Sequence, residues 1–487
     1  MNRRTIRLIS LLLAFLMLLC ACFSDPVEQS SAETSADLRD ESADVSDEEV
    51  EESKEAEESS EEPVPDHAFN GATLKVLVGD ESRKSDFSAD SETESDLQSA
   101  LAARLDKIRS VHGITFLVGV VAENDDVATE LASYAESGIE TDLVLYGASS
   151  FAKHIPSGLY YDLNGIDGFD TDFGFADRLS VCGKVYFVTG DACLSSFDSA
   201  YAVFYDKALA AGYLEDLYSL VLSGGWTVDK MHEFAKETSN GKMSFSSEDP
   251  VFGIVSRADD ANAFMTSCGE CVAFADQNGY PVINIGTPSN VTFFEKLKSI
   301  LSDKSCSAIA ENQGNWKMTH EREKEIFLEG RALFMPYTLS LANENAAFGQ
   351  SVGILPMPKK DVSSAYVTPV DTYSLTVVGI PKTNTSNLYE ACAALELLDY
   401  YGRHDVREAY NEKIKQNLNL GSDDLKMLSV IQNGLSFDIG GLYLDASSGD
   451  TSPTRVYPYS LTSEKAFEDI ISELLPLYEN AAEKIKK

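Results

Sequence analysis

The sequence predicts an α/β fold, with mainly parallel sheets flanked by helices and divided among two or three lobes. Three observations lead there. Short β-rich runs alternate with segments of helical periodicity from Thr73 onward, and such alternation requires crossovers that leave a parallel sheet covered on both faces. Once an apolar leader and an acidic run are set aside, about 420 of the 487 residues remain, too many for one ordinary core. No later stretch is long and apolar enough to span a membrane.

The elements follow in order. Thr73–Val78 reads as a strand; Leu97, Leu101, Ile108 and Val111 recur at helical spacing; Ile114–Val121 is again strand-like. Val127, Leu131 and Tyr134 mark a second helix, and Asp142–Tyr146 a third strand, giving a β-α-β-α-β opening. A new unit begins near Ala200, with a strand at Tyr201–Tyr205 and a short helix to Gly212. Thr227 caps a helix whose apolar face is Met231, Phe234 and Ala235, and Trp226 ahead of it staples that helix to the core. Phe293–Leu301 and Glu321–Glu329 read as helices, the second ended by Gly330. Strands follow at Ala332–Met335, Ser351–Leu355 and Tyr373–Val378, then a helix at Leu388–Tyr401. Phe467, Ile471, Leu474 and Tyr478 line a C-terminal helix that Pro476 should kink.

The N-terminus carries Arg3, Arg4 and Arg7 before an apolar run from Leu8 to Leu19, too short to span ~30 Å of hydrocarbon and patterned as a signal peptide covering residues 1–21. Leu19-Cys20-Ala21-Cys22 resembles the bacterial lipobox, which makes Cys22 the lipidated residue. Residues 22–66 then form an acidic linker. Between Phe23 and Asp66 eighteen acidic residues face only Arg39 and Lys54, a net of −16, and a segment this poor in large apolar side chains cannot offset its ordering entropy. Losing the three leader arginines takes the formal charge from −40 to −43, of which about −27 stays on residues 67–487. Nucleic acid and anionic lipid are therefore disfavoured partners.

In open α/β sheets ligands sit beyond the carboxyl ends of the strands. That rule singles out Asp80 and Glu81 after the first strand and Tyr146 at the end of the third. Six cysteines remain after the leader, and the short separation of Cys182 and Cys193 suggests a disulfide between them. Cys268-Gly269-Glu270-Cys271 has the spacing of a redox or metal pair, but no second pair or histidine lies near it in sequence. His232-Glu233 lacks the second histidine of a zincin helix, and Gly147-Ala148-Ser149 lacks the closing glycine of a nucleophile elbow. The sequence thus calls for no catalytic residue, metal or cofactor.

Four segments carry a resemblance. They are Ala202-Val203-Phe204-Tyr205-Asp206-Lys207 with Gly225-Trp226-Thr227 downstream; Phe327-Leu328-Glu329-Gly330-Arg331-Ala332-Leu333-Phe334-Met335; Val352-Gly353-Ile354-Leu355-Pro356-Met357-Pro358; and Ile380-Pro381-Lys382-Thr383. In this order and after a lipobox, they resemble the extracellular solute-binding lipoproteins of bacterial ABC importers, of the sugar type. The resemblance implies a two-lobed, type II periplasmic-binding-protein-like fold with a multi-segment hinge. It places 67–197 and 376–435 in one lobe and 203–370 and 441–487 in the other, with crossings near 196–202, 369–375 and 434–440.

The resemblance also implies a function. A monomer, lipid-anchored at the extracellular face of the cytoplasmic membrane, would capture a small polar solute, a mono- or oligosaccharide, and deliver it to an ABC permease. Sugar recognition needs aromatic faces and hydrogen-bonding groups. Tyr146, Trp316, Tyr337 and Tyr373 are the aromatic candidates, and Asp80, Asp198 and Asp371 the carboxylates. The competing reading is a surface glycosidase, which needs two carboxyls at a set separation in space.

Overall fold

The computed structural model describes residues 63–88, 95–121, 127–213, 216–239, 250–313, 316–344, 352–444 and 452–486. The leader, Cys22 and the acidic linker up to residue 62 lie outside the described residues. Among the described residues no helix is long and apolar enough to cross a membrane.

The strands, in chain order, are β1 (Ala72–Val78), β2 (Ile114–Val120), β3 (Leu143–Gly147), β4 (Tyr201–Asp206), β5 (Phe252–Ser256), β6 (Ala273–Ala275), β7 (Pro281–Ile283), β8 (Ser307–Ile309), β9 (Ala332–Thr338), β10 (Val352–Leu355), β11 (Thr368–Pro369), β12 (Thr376–Gly379) and β13 (Leu435–Ser436). The first sheet has the order β12-β3-β1-β2, with β1 parallel to both neighbours and β12 antiparallel to β3. The helix Asp96–His112 makes the first crossover. Its end is set by Gly113, whose positive φ lets the chain turn back into β2.

One face of the first sheet shows how the pattern works. Leu74, Val76 and Val78 alternate along β1 and are buried, together with Ala391, Ala394, Leu395 and Leu398 of the helix Leu388–Tyr401. Period-two side chains on a strand thus meet a helix that is apolar nearly all round.

The second sheet has the order β10-β4-β9-β5-β8. Its β9-β5-β8 half is parallel, whereas β4 runs antiparallel to β9 and β10 antiparallel to β4. The helix Val228–Ser239 lies so close on β5 that a Cβ at Gly253 would stand 2.3 Å from the carbonyl oxygen of Ala235. Trp226 is fully buried against Phe334, and its indole N–H donates to the carbonyl of Pro356 at 2.9 Å.

The chain passes from the first sheet to the second before Tyr201 and returns at Thr376. At these passages three segments run side by side. β11 pairs in parallel with β13, the Val370 N–H donates to Ser436 O at 3.0 Å, and the Asp371 N–H donates to Ser199 O at 2.8 Å. One element departs from the expected partition. The helix Ser422–Asn433, within the stretch 376–435, rests on the second sheet, where Asp424 accepts from Lys207 at 2.7 Å and from Tyr218 at 2.5 Å. The helix's buried Met427, Leu428 and Ile431 share an apolar cluster with Val203 and Phe204 of β4 and Val352 and Ile354 of β10, which is why it packs there.

The expected Cys182–Cys193 disulfide is absent, and all six described cysteines are free thiols. Cys193 is fully buried and bonds Thr189, while Cys182 sits at positive φ with its thiol donating to Ile485 O at 3.7 Å. Short sequence separation says nothing about where two Cβ vectors point. Cys268, which ends the helix Asp260–Ser267, and Cys271 are likewise unbridged.

Candidate ligand-binding cleft

A cleft of about 550 Å³ opens where the second sheet meets the crossing segments. Its wall begins with strand ends. Tyr201 opens β4, Tyr337 lies near the end of β9, and Arg257 follows β5 directly; because β4 is antiparallel to β9, all three fall at one edge of the sheet. The carboxyl-end rule therefore applies to β5 and β9.

Arg257 organises the floor. Its guanidinium donates to Asp260 at 2.9 Å and to the Tyr201 hydroxyl at 3.3 Å, lies 3.5 Å from a carboxylate oxygen of Glu323, and packs over the ring of Tyr337 at 4.4 Å from its centroid. Asp260 is fully buried and Glu323 is 2 % exposed. Burial raises both carboxyls above the usual range, Asp260's charge raises that of Glu323 further, and Arg257 opposes both shifts. For Arg257, burial alone would lower its value; Asp260, Tyr201 and Glu323 outweigh it and hold the guanidinium firmly charged.

The side wall is a second ion pair. Arg455 meets Asp259 at 2.9 Å, and the Asn262 amide donates to Thr454 O at 2.8 Å, which ties the helix Asp260–Ser267 to the segment entering the C-terminal helices. The rim is Asp371 to Tyr373. One Asp371 oxygen accepts the Tyr373 N–H at 3.2 Å and the other accepts the Ser374 hydroxyl at 2.8 Å, an Asx-type turn that leaves the Tyr373 side chain 90 % exposed. Asp438 lines the opposite corner while capping the helix Ile439–Tyr443 through the Gly440 N–H at 2.8 Å.

Three of the seven sequence candidates, Tyr337, Asp371 and Tyr373, thus share this cleft. The others have different surroundings. Asp80 caps the short helix Glu81–Asp86 by accepting the Ser82 N–H at 2.8 Å. Tyr146 is 5 % exposed, stacked on Phe151 and hydrogen-bonded to Tyr160, so it serves the core of the first lobe. Asp198 accepts from Arg83 at 3.1 Å and Tyr410 at 3.0 Å, fastening two helices beside the crossing. Trp316 opens the helix Trp316–Leu328, and its side chain lies outside the described set.

The sequence reading missed Tyr201, Arg257, Asp260 and Arg455. Arg257-Ala258-Asp259-Asp260 follows β5, a strand whose Gly253 masks its periodicity. Recognising that strand would have brought its tip under the same rule that flagged Tyr146.

No family model matches the chain, and no curated protein does either. Solved structures match over most of it. A sugar transporter from Rhizobium etli in an open conformation superposes with a TM-score of 0.57 at 13 % identity, covering 84 % of this chain and 99 % of that one. MalX from Streptococcus pneumoniae in complex with maltopentaose gives 0.52 at 13 %, again over 84 % and 99 %. The chain has the two-lobed periplasmic-binding-protein fold. A third likeness, the maltose/maltodextrin-binding domain MalE from Bdellovibrio bacteriovorus bound to maltotriose, gives 0.51 at 15 % with the same coverage of 84 % and 99 %. Within the periplasmic-binding-protein fold, the cleft described above lies beside the segments that join the lobes.

Proposed function

We propose that this protein is an extracellular solute-binding lipoprotein that captures a carbohydrate and hands it to an ABC permease. The observation that carries the reading is the cleft at the crossing segments, where Tyr337 and Tyr373 offer ring faces and Arg257, Asp371 and Asn262 offer hydrogen-bonding groups. Sugars need both kinds of surface, aromatic planes for C–H faces and fixed polar groups for hydroxyls. The fold supports it, since MalX and the Bdellovibrio protein share it and hold malto-oligosaccharides.

On this reading the hinge comprises the stretches near 196–202, 369–375 and 434–440, and ligand contacts shift a population from open to closed. Binding needs no catalytic group, and the matched proteins are binding proteins rather than enzymes. A lipid on Cys22 and the acidic linker would hold a monomer at the outer face of the membrane beside its permease.

The test is a thermal-shift screen of the chain against malto-oligosaccharides, other mono- and oligosaccharides and amino acids. A bound solute at one hundred times its Kd stabilises by about 2.7 kcal/mol and is recovered chemically unchanged. Hydrolysis of that solute would favour the glycosidase reading, and a shift only with amino acids would overturn the carbohydrate assignment.

A further inference from the structure

Outside the residues that line the cleft, His232, Asp303 and Cys306 converge from two distant stretches of sequence. One ligand-type atom from each, an imidazole nitrogen, a carboxylate oxygen and a thiol sulfur, lies within 4.8 Å of the other two. His232 Nε2 is 2.9 Å from Asp303 Oδ2, while the other Asp303 oxygen accepts the Ser305 N–H at 3.0 Å and the Ser305 hydroxyl at 2.6 Å. Those two bonds fix the carboxylate and leave Oδ2 facing the histidine. Cys306 is fully buried, and its backbone carbonyl accepts the N–H groups of Gly253 at 2.8 Å and Ile254 at 3.0 Å. His232 stands on the helix that Gly253 allows to lie against β5, so both segments are referred to one rigid strand.

We propose that His232, Asp303 and Cys306 form a site for one zinc-class divalent cation, with the fourth position open to water. The donor set selects the metal: calcium and magnesium take oxygen ligands, whereas nitrogen with thiolate suits zinc and its chemical relatives. Ligand bonds of about 2.0–2.3 Å put donors roughly 3.5 Å apart, so the widest separation closes by about 1 Å. On binding, the Cys306 thiol gives its proton to solvent and coordinates as thiolate. Lys236, whose ammonium stands 3.5 Å from Asp303, swings outward, as its half-exposed side chain permits. The sequence hides this site because no second ligand follows His232 one turn along its own helix, and its partners lie about seventy residues downstream.

The probe is Co²⁺, whose bonds to thiolate absorb in the near ultraviolet, followed by Zn²⁺ displacement. The full chain, stripped with EDTA, should take up one equivalent of Co²⁺ with a thiolate-to-cobalt band that Zn²⁺ abolishes, and Zn²⁺ should raise its melting temperature. Cys306→Ser removes the band, and His232→Gln, whose amide can still donate to Asp303, weakens affinity at least tenfold. Cys271→Ser leaves band and affinity as they were. Absence of a band in the unaltered chain, or its persistence in Cys306→Ser, would overturn the site.

Discussion

Replacing Arg257 with Met should destabilise the protein at neutral pH and much less in acid. Methionine retains most of the side-chain volume but leaves Asp260 and Glu323 buried without their guanidinium partner, beside the Tyr201 hydroxyl and in the repulsive field of Asp259 and Glu311, with only the weaker opposing charge of Lys324 on Glu323. Removing one partner of a buried ion cluster costs about 3–5 kcal/mol. The pH dependence follows from the direction of the shifts. Both carboxyls already sit above the ordinary value of about 4 when folded, so the folded state holds more protons than the unfolded one and stability falls as pH rises through that window. Without the guanidinium their folded values rise further, and the variant's stability falls more steeply. Urea denaturation of both proteins at pH 7.5 and 4.5 should show a deficit of about 3–5 kcal/mol at the higher pH and a clearly smaller one at the lower. An equal deficit at both values would refute the argument, because it would mean that lost packing rather than stranded charge is being measured.

Three further outcomes can be checked. Tyr373→Ala should leave the unliganded melting temperature in place, since the side chain is 90 % exposed, while a ring face of about 80 Å² lost to a sugar at 25 cal/mol/Å² costs about 2 kcal/mol, or roughly a thirtyfold rise in Kd by calorimetry. Trp226→Ala should destabilise by about 3–5 kcal/mol in denaturation experiments, through the cavity left by a fully buried indole and the unpaired carbonyl of Pro356. Asp399 is pushed up to about 7 by burial, then by the charge of Asp191, with Arg403 at 2.9 Å opposing. Its contribution is therefore favourable below about pH 4 and lost as pH rises to 7. Asp399→Asn should flatten stability against pH across that range, as followed by melting temperature.

The opening β-α-β-α-β run was legible almost to the residue, because strands and helices leave different periods: Thr73–Val78 became β1 from Ala72, and Asp142–Tyr146 became β3 from Leu143 to Gly147; further on, the helix Leu388–Tyr401 agrees at both ends. What failed was whatever depended on where a side chain points. Tyr146 sits at a strand tip in sequence, yet β3 continues to Gly147, and the ring turns into the core beside Phe151 and Tyr160. Val111 fits the helical spacing of Leu97 and Ile108 but is 60 % exposed, because the buried stripe runs through Leu97, Leu101, Arg104 and Ile108 to His112 and leaves Val111 beside it. At the cleft, Asp371 and Tyr373 were legible as residues of a crossing, whereas Arg257 was hidden behind a strand interrupted by glycine, and Arg455 reaches Asp259 from about two hundred residues away.

The rim residues belong to the cleft and to a crossing at once, and this bears on how binding would move the lobes. Asp371 uses its N–H to hold Ser199 on a neighbouring crossing and its carboxylate to hold Tyr373 and Ser374 in a turn. On the proposed reading, a sugar hydroxyl donating to Asp371 competes with the Ser374 hydroxyl, whose oxygen lies 3.0 Å from the Ser199 hydroxyl and can accept from it. Ligand binding and the packing of two crossings then share one carboxylate. The floor behaves differently, since Arg257 is held by Asp260, Tyr201 and Glu323 and stacks on Tyr337 before any ligand arrives. A fixed floor supplies affinity without reorganisation, and an exchangeable rim supplies the differential contact that a population shift requires. Each 1.4 kcal/mol of that difference moves the open-to-closed ratio about tenfold, so substitutions at the rim should alter closure and affinity together, while those at the floor should alter affinity through stability and shape.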